Sequence, residues 1–373
     1  MMMKTPRSLD LNITAKCNLK CCFCSHYTSS TDTGEDLPLE QWLSFFKELN
    51  RCDVLDVVLS GGEPFLYKDF KKLVEGVVAN RMRFSVLSNG TLISKEMAQF
   101  LASTNRCNHV QVSIDGSSPQ THDSCRGKGS FSRAIEGLDN LQHARVPTAV
   151  RVTVHRQNVY DLEEIAHFLL EERQLSGFSV NAASHLGICR HNRDSVQLTI
   201  EQRSYAMEEL LKLNKKYNNR ISAAAGPLYE VKTFMEMEHA RLTGTNPLPR
   251  RGTLTGCGCI WNKLAVRPDG MIVPCIQMAH LEIGRINQDD LKTLWQTHPE
   301  LEKLRQRPEI PLSRFSECEN CPYCNYCTGN CPALAYTLTG DINRPSPDAC
   351  LKLFLSEGGT LPDRSLLHES FLQ

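Results

Sequence analysis

Three cysteines near the amino terminus, Cys17, Cys21 and Cys24, have the spacing C-x3-C-x2-C. A single loop with this spacing can place three thiolates around a cube of iron and sulfide. An iron-sulfur cluster normally takes four thiolates, so one iron would stay open for a small molecule, as in catalytic metal sites. From the spacing alone, a zinc site or plain buried cysteines are the alternatives. Cys22 breaks the spacing and is not expected to be a ligand.

A glycine-rich turn, Gly61-Gly62-Glu63-Pro64, is the second candidate. Two glycines allow the backbone to approach a ligand without a Cβ clash, and Pro64 fixes the exit from the turn. Taken alone, such a turn is equally consistent with a tight turn that binds nothing. Its position directly after the second predicted strand favours a ligand-binding role.

The last third of the chain is rich in cysteine, and the whole chain has 17. A zinc module is the alternative to iron-sulfur clusters here, because Cys321, Cys324 and Cys327 offer Cys-x2-Cys pairs. The isolated residues Cys52, Cys107, Cys125 and Cys189 are expected to be small buried side chains. The clustered cysteines are Cys257, Cys259, Cys275, Cys318, Cys321, Cys324, Cys327, Cys331 and Cys350.

Composition and charge exclude several other classes of protein. Lys and Arg total 42 and Asp and Glu total 42, so no overall basic field favours nucleic acid or an anionic membrane. The first 20 residues lack the apolar segment of a secretory signal, and no run is long enough to span a membrane. These features predict a cytoplasmic protein, where thiols stay reduced and available for metals.

The first half alternates between short apolar strands and amphipathic helices, which predicts a parallel sheet. Polar or glycine-rich segments follow the strands, so they lie at carboxyl ends. In a barrel those ends converge on one mouth, whereas an open sheet would spread them out, so we favour a partial (β/α)6 barrel. The predicted strands are 9–13, 54–59, 83–87, 109–114, 148–155 and 178–181; the predicted helices are 39–49, 70–77, 94–103, 131–144, 161–172 and 201–216.

Composition shifts predict the domain boundaries. The expected division is a core domain at 1–225, a bridging region at 226–256, a small cysteine-rich domain at 257–355 and a tail at 356–373. The stretch 243–258, rich in Gly, Pro and Arg, supports the boundary before the cysteine-rich part.

Residues 9 to about 181 resemble the radical S-adenosylmethionine (radical SAM) enzymes. The resemblance rests on the three-cysteine motif with Phe23 before its last cysteine, on Ser60 to Pro64, on Ser88-Asn89-Gly90 and on Ser113 to Gly116. It implies that the open iron chelates S-adenosylmethionine (SAM), which is cleaved to methionine and a 5′-deoxyadenosyl radical that abstracts a substrate hydrogen. The implied cofactor-binding residues are Phe23, Gly61, Gly62, Glu63, Pro64, Ser88, Asn89, Ser113, Asp115 and Arg126.

Within that set, the resemblance places the methionine amino group on the glycine-rich turn and Glu63. Ser88 and Asn89 suit the ribose hydroxyls. Arg126 belongs to a segment that recurs in related enzymes, although capping of a helix is an equally good reading.

The C-terminal cysteines resemble the SPASM extension of that family, which implies two auxiliary clusters and three [4Fe-4S] clusters in all. Cys259, Cys275 and Cys331 would belong to the first auxiliary cluster. Cys257 is a candidate fourth ligand, but its spacing to Cys259 is tight, so this cluster is either closed by Cys257 or open at one iron. The second auxiliary cluster would take Cys318, Cys321, Cys327 and Cys350, and Cys324 is a surplus thiol.

Most members of this subfamily modify ribosomally made peptides or proteins, so the resemblance implies peptide maturation. Because the cysteine loop already begins at Cys17, either a separate leader-recognition protein or substrate contact through the linker and the SPASM domain is expected. A reductant such as flavodoxin or ferredoxin is also expected. A sulfatase maturase that makes formylglycine and a tetrapyrrole side-chain modifier are the enzyme alternatives. A zinc-binding interaction module is the non-enzyme alternative.

Overall fold

The computed structural model describes residues 3–26, 35–244, 251–255 and 257–366 of the 373-residue chain. The side chain of Cys259 lies outside this description, as do parts of the predicted bridging region and tail.

A ten-stranded sheet in the order β10-β9-β8-β1-β2-β3-β4-β5-β6-β7 organises the described residues. The eight strands from β8 through β7 are parallel to their neighbours, and β9 and β10 add antiparallel pairs at one edge. The strands are β1 Ser8–Thr14, β2 Asp56–Gly61, β3 Arg83–Ser88, β4 Cys107–Ser113, β5 Thr148–Val154, β6 Phe178–Ala182, β7 Ile221–Ala223, β8 Lys263–Val266, β9 Met271–Val273 and β10 Gly284–Arg285. All six predicted strands are confirmed within a few residues.

The helices follow the strands as the amphipathic pattern predicts. They are α1 Leu39–Arg51, α2 Phe70–Ala79, α3 Lys95–Ser103, α4 Pro119–Arg126, α5 Ser130–His143, α6 Leu162–His167, α7 Arg193–Val196, α8 Ile200–Lys216, α9 Pro227–Thr243, α10 Cys259–Asn262, α11 Leu291–Thr297, α12 Pro299–Arg305, α13 Pro332–Thr339 and α14 Leu351–Ser356. None of the helices that the structure describes is long and apolar enough to cross a membrane.

The two faces of the sheet differ in chemistry, which makes it a partial barrel with a polar interior. Alternate residues such as Leu9 and Leu11 in β1 and Val150 and Val152 in β5 are fully buried against the helices. The residues between them face the interior, which we call the lumen. Polar lumen residues include Asp10, Asn12, Ser60, Ser85, His109, Gln111, Ser113, Arg151, Thr153, Ser179 and Asn181.

The sheet crosses the domain boundary that composition predicts. Strand β8, within the predicted cysteine-rich domain, pairs in parallel with β1 from Ser8↔Lys263 to Leu11↔Val266. The predicted bridging region also begins with helix α9 rather than with a linker, and α9 packs on α8 and β6. Short apolar strands such as β8 carry little sequence signal, so only pairing with β1 reveals that the two parts share one sheet.

Candidate functional site

The cysteine loop begins where β1 ends, and Asp36 fixes its first residues. The Thr14 hydroxyl and the Ala15 N–H donate to the Asp36 carboxylate at 2.6 and 2.8 Å. The loop then turns tightly, with the Cys24 N–H donating to the Cys21 carbonyl at 3.2 Å. No disulfide joins any of the cysteines in the described part of the chain, so these thiols are available as ligands.

The three thiols of the loop lie close enough to influence one another. Burial raises the pKa of Cys21 to about 11, Arg126 opposes this, and Cys24 and Cys17 add to it. Burial likewise raises the pKa of Cys17. Thiolates so close together are costly without a bound cation, so the donor set fits an iron-sulfur cluster with three protein ligands.

The glycine-rich turn packs directly against the start of this loop. The Gly62 N–H donates to the Thr14 carbonyl at 2.9 Å and the Glu63 N–H to the Lys16 carbonyl at 2.8 Å. A Cβ on Gly61 would lie 2.2 Å from the Thr14 oxygen, and one on Gly62 would lie 2.1 Å from the Lys16 oxygen. Both glycines are therefore required by the protein's own backbone, and the prediction that they also make room for a ligand stays a prediction.

Glu63 links that turn to the end of β3. Its fully buried carboxylate accepts hydrogen bonds from the Ser88 hydroxyl at 2.9 Å and the Asn89 N–H at 2.8 Å. Burial raises the pKa of Glu63 to about 7, against the opposing effect of these hydrogen bonds. The Asn89 side chain in turn lies 4.0 Å from the Cys17 sulfur, so Glu63 positions Asn89 beside the loop.

Arg126 ties the end of β4 to the same loop. Its guanidinium forms a buried ion pair with Asp115 and lies 3.8 Å from the Cys21 sulfur. It also stacks 5.2 Å from the centroid of the Phe23 ring. Burial alone would raise the pKa of Asp115, but Arg126 holds it below its usual value. In this structure Asp115 and Arg126 position the loop.

The predicted contacts of these residues with the cofactor stay predictions. Ser113, the last of the predicted cofactor-binding residues, has no hydrogen bond to the cysteine loop among the described residues. Ser113 lies on the lumen face at the end of β4, in register with Arg151 of β5. Its hydroxyl has no hydrogen-bond partner within the described residues.

Two buried histidines belong to the site and were not predicted as binding residues. His122 accepts the Asp115 N–H at 3.1 Å, and His155 stacks on Phe23 with ring centroids 5.1 Å apart. Burial lowers the pKa of each to about 4. Only long-range packing reveals them, because neither lies in a motif with metal-ligand spacing.

A segment after β6 covers the outer side of the loop and was also missed. The Cys189 N–H donates to the Cys24 carbonyl at 3.3 Å, and the Asn192 amide donates to the Cys22 carbonyl at 2.9 Å. Gly187 has a φ of +53°, and a Cβ there would lie 2.6 Å from the Cys24 oxygen. A glycine before a short helix was the available signal.

The C-terminal cysteines form two groups in space. Around Cys318, burial raises the pKa to about 12, and Cys324, Cys327, Cys321 and Cys350 all add to that rise. This group therefore contains the four predicted ligands of the second auxiliary cluster and also the surplus Cys324.

The first auxiliary group is centred on Cys331. Burial raises its pKa, and Cys257 and Cys275 contribute to the rise, so both thiols lie near it. Cys275 and Cys331 also pack on the small apolar cluster of Ile260, Met278, Leu304 and Ala333. The predicted ligand Cys259 belongs to α10, but its side chain lies outside the described residues.

A buried arginine, Arg307, lies beside this group and bears on whether an anionic cluster fits there. Arg307 is 1% exposed, and its Nε and Nη2 have no hydrogen-bond partner within the described residues. Burial lowers its pKa to about 10, and Cys331 and Asp341 oppose this, so it is charged at neutral pH. Unpartnered buried donors next to thiols suit a negatively charged iron-sulfur cluster.

Comparisons with known proteins agree with this geometry. A model of the radical SAM superfamily matches residues 11–169, and a model of an iron-sulfur cluster-binding domain, SPASM, matches residues 257–328. These ranges contain the first cysteine loop and most of the later cysteines.

Relatives resemble the chain over most of its length. Fe-coproporphyrin III synthase of Methanosarcina barkeri is 27% identical over 91% of this chain and 86% of its own. The sporulation killing factor maturation protein SkfB of Bacillus subtilis is 29% identical over 77% of this chain and 64% of its own.

A solved structure shares the fold. Streptococcus suis SuiB bound to precursor peptide SuiA superposes with a TM-score of 0.72 at 18% identity, covering 94% of this chain and 77% of SuiB. With both family models matched and the cysteine groups assembled, the chain belongs to the radical SAM superfamily of enzymes and carries a SPASM iron-sulfur cluster-binding domain.

Proposed function

We propose that this enzyme matures a ribosomally made peptide or protein by modifying a side chain or forming a crosslink. The observation that carries the proposal is the assembly of one three-cysteine loop at the mouth of a polar, partly exposed lumen, with two further cysteine groups beyond it. The likeness to the sporulation killing factor maturation protein SkfB, and to SuiB bound to its precursor peptide, supports a peptide substrate.

The proposal assigns three [4Fe-4S] clusters to these cysteines. Bound to the loop cluster, SAM supplies the 5′-deoxyadenosyl radical that removes a substrate hydrogen. Ligands of that cluster are Cys17, Cys21 and Cys24; those of the first auxiliary cluster are Cys257, Cys259, Cys275 and Cys331; those of the second are Cys318, Cys321, Cys327 and Cys350.

The chain's own residues would orient these parts. Arg126 holds Cys21 and Phe23 in place through its contacts, while Glu63 fixes Ser88 and Asn89 at the end of β3. Backbone groups of the turn and the Asn89 amide are then the groups proposed to meet SAM. The lumen would receive the substrate side chain and keep it apart from water and oxygen.

The proposal also includes partners and a location. A separate leader-recognition protein and a reductant such as flavodoxin or ferredoxin are proposed, and the cytoplasm is the proposed compartment. Thiols clustered for metal binding suit such a reducing compartment. The predicted domain boundaries at 225, 256 and 355 remain a proposal, in which the core and the cysteine-rich domain share one sheet through β1 and β8.

The test uses anaerobically purified holoenzyme. After reduction, 5′-deoxyadenosine release is measured with SAM for the wild type and for Cys17→Ala, together with iron, sulfide and zinc content. Small peptides from the source cell are then searched by mass spectrometry for a species changed only by the active enzyme. We expect deoxyadenosine and a modified peptide with the wild type and neither with Cys17→Ala.

Other outcomes select the alternatives. Formation of Fe-coproporphyrin III or of another altered tetrapyrrole, without any peptide product, would favour a tetrapyrrole modifier, an alternative that the likeness to Fe-coproporphyrin III synthase supports. Formylglycine in a sulfatase peptide would favour a sulfatase maturase. Zinc without SAM cleavage would favour a binding module.

A further inference from the structure

The lumen contains a cation in the wall formed by β4, β5 and β6. Arg151 lies on β5, in register with Ser113 of β4 and Ser179 of β6. Its Nε donates to the Ser179 hydroxyl at 3.2 Å. This is the one side-chain hydrogen bond of Arg151 among the described residues, so most of the guanidinium donors stay unused.

The charge of Arg151 is not balanced by any acidic side chain in the described chain. Two other cations near the sheet differ from Arg151: Arg126 pairs with Asp115, and Lys263 pairs with Asp10 at 2.8 Å. His109 faces the same lumen, and burial together with the nearby Arg151 lowers its pKa, so it is neutral at pH 7. An enclosed cation without a counterion costs free energy, which a bound anion would recover.

The surroundings of Arg151 suit a small planar anion. The side chain is partly exposed, so the lumen gives access to it. The Ser113 hydroxyl lies level with Arg151 on the neighbouring strand. The guanidinium fork matches a carboxylate in two parallel hydrogen bonds, and the Ser113 hydroxyl can donate to the same group. The Ser179 hydroxyl accepts from Arg151 and donates to the Val150 carbonyl at 3.4 Å, so it orients the guanidinium.

We propose that Arg151, oriented by Ser179 and together with Ser113, binds a carboxylate of the substrate inside the lumen. The inference rests on the proposed function, in which a peptide enters the lumen, and it specifies that the bound segment carries a carboxylate, either an acidic side chain or the peptide's C-terminus. Propionate groups of a tetrapyrrole have the same chemistry, so the experiment separates the two sources.

The experiment measures binding to the anaerobic holoenzyme. N-acetylglutamate and its neutral counterpart N-acetylglutamine are titrated by ligand-observed NMR, and coproporphyrin III and its methyl ester by fluorescence. The proteins are wild type, Arg151→Gln, Arg151→Lys and, as matched control, Arg83→Gln, which removes an exposed arginine from β3. SAM affinity and iron content are measured for each protein.

We expect the wild type and Arg83→Gln to bind N-acetylglutamate roughly tenfold to hundredfold more tightly than N-acetylglutamine, the scale of a charge-assisted hydrogen bond. The preference should disappear in Arg151→Gln and shrink in Arg151→Lys, with SAM affinity and iron unchanged. The inference would be overturned if the wild type showed no preference for the acid over its neutral counterpart with either ligand pair, or if the preference survived in Arg151→Gln.

Two further outcomes distinguish this inference from the proposed function. If SAM affinity falls in Arg151→Gln as much as N-acetylglutamate binding does, the carboxylate belongs to SAM and the inference is wrong, whereas the peptide function stands. If only coproporphyrin III shows the Arg151-dependent preference, the carboxylate site is supported and the peptide function is wrong.

Discussion

The sheet and the cysteine-rich region position their thiols in different ways. At the first loop, Asp36, Arg126 and the backbone of the glycine-rich turn hold the cysteines through hydrogen bonds and an ion pair. Between Arg307 and Cys350, apart from α13, the chain forms three-residue helical turns such as Ser316–Cys318 and Cys324–Tyr326. The apolar cluster beside the first auxiliary group has four buried members.

The two regions are stabilised by different interactions. Burial of long apolar strands stabilises the sheet without any metal. Between Cys318 and Cys350 the buried apolar side chains are Tyr323, Pro332, Ala333 and Ala335, and the crowded thiols oppose one another. We therefore expect metal binding to supply much of the stability of this segment.

The largest predicted effect is the response to iron removal. We expect amide hydrogen exchange to become fast between Cys318 and Cys350 after chelation, because this segment depends on bound metal for its stability. Strands β1 to β6 should stay protected, because burial of their apolar side chains does not depend on metal. Exchange followed by mass spectrometry measures this. Equal loss of protection in both regions would contradict the comparison.

Gly61→Ala should be the most damaging small substitution in the sheet. Its φ of +130° and its 2.2 Å approach to the Thr14 oxygen combine backbone strain with a clash, so we expect a loss of about 4 kcal/mol in unfolding free energy. Gly358→Ala is the matched control, because its φ is +93° with open space around it. Similar losses for both variants in urea unfolding would show that the contact with the loop adds nothing.

Acid should destabilise the folded protein through His122 and His155, two buried histidines beside the cysteine loop. Burial lowers the pKa of His122 and of His155 to about 4 from 6.5, so the folded state binds fewer protons than the unfolded state below about pH 6.5. Stability is therefore lost as pH falls, by about 2 kcal/mol per histidine between pH 7 and 5. Denaturant unfolding across this range should show the slope, and His122→Asn should reduce it.

The smallest predicted effect concerns Arg307. Its unpartnered donors beside Cys331 should stabilise the reduced first auxiliary cluster. We expect Arg307→Gln to lower the midpoint potential of that cluster by roughly 50 mV, since about 59 mV corresponds to a tenfold change for one electron. Potentiometry followed by EPR measures it, and the exposed Arg314→Gln is the control. An unchanged midpoint potential would show that Arg307 contributes to packing and not to the electrostatics of the cluster.

The sequence alone determined the cofactor class and the order of the core. Cysteine spacing, glycine motifs and strand periodicity are local signals, so they predicted the loop and the six strands, and the resemblance to the SPASM extension implied the two later cysteine groups. The radical SAM and SPASM resemblances agree with the matched family models.

How these parts contact one another follows from tertiary contacts that the sequence does not indicate. Contacts between residues far apart in the chain leave no local pattern, as with Arg126 beside Cys21, β8 beside β1, and the Thr14 and Lys16 carbonyls that require Gly61 and Gly62. The same holds for Arg151, because the lack of a counterion can be recognised only once the positions of the surrounding side chains are known. Burial and ion pairing depend on the whole fold. They distinguish residues such as Arg126, which position the cysteine loop, from Arg151, which we propose to bind the substrate.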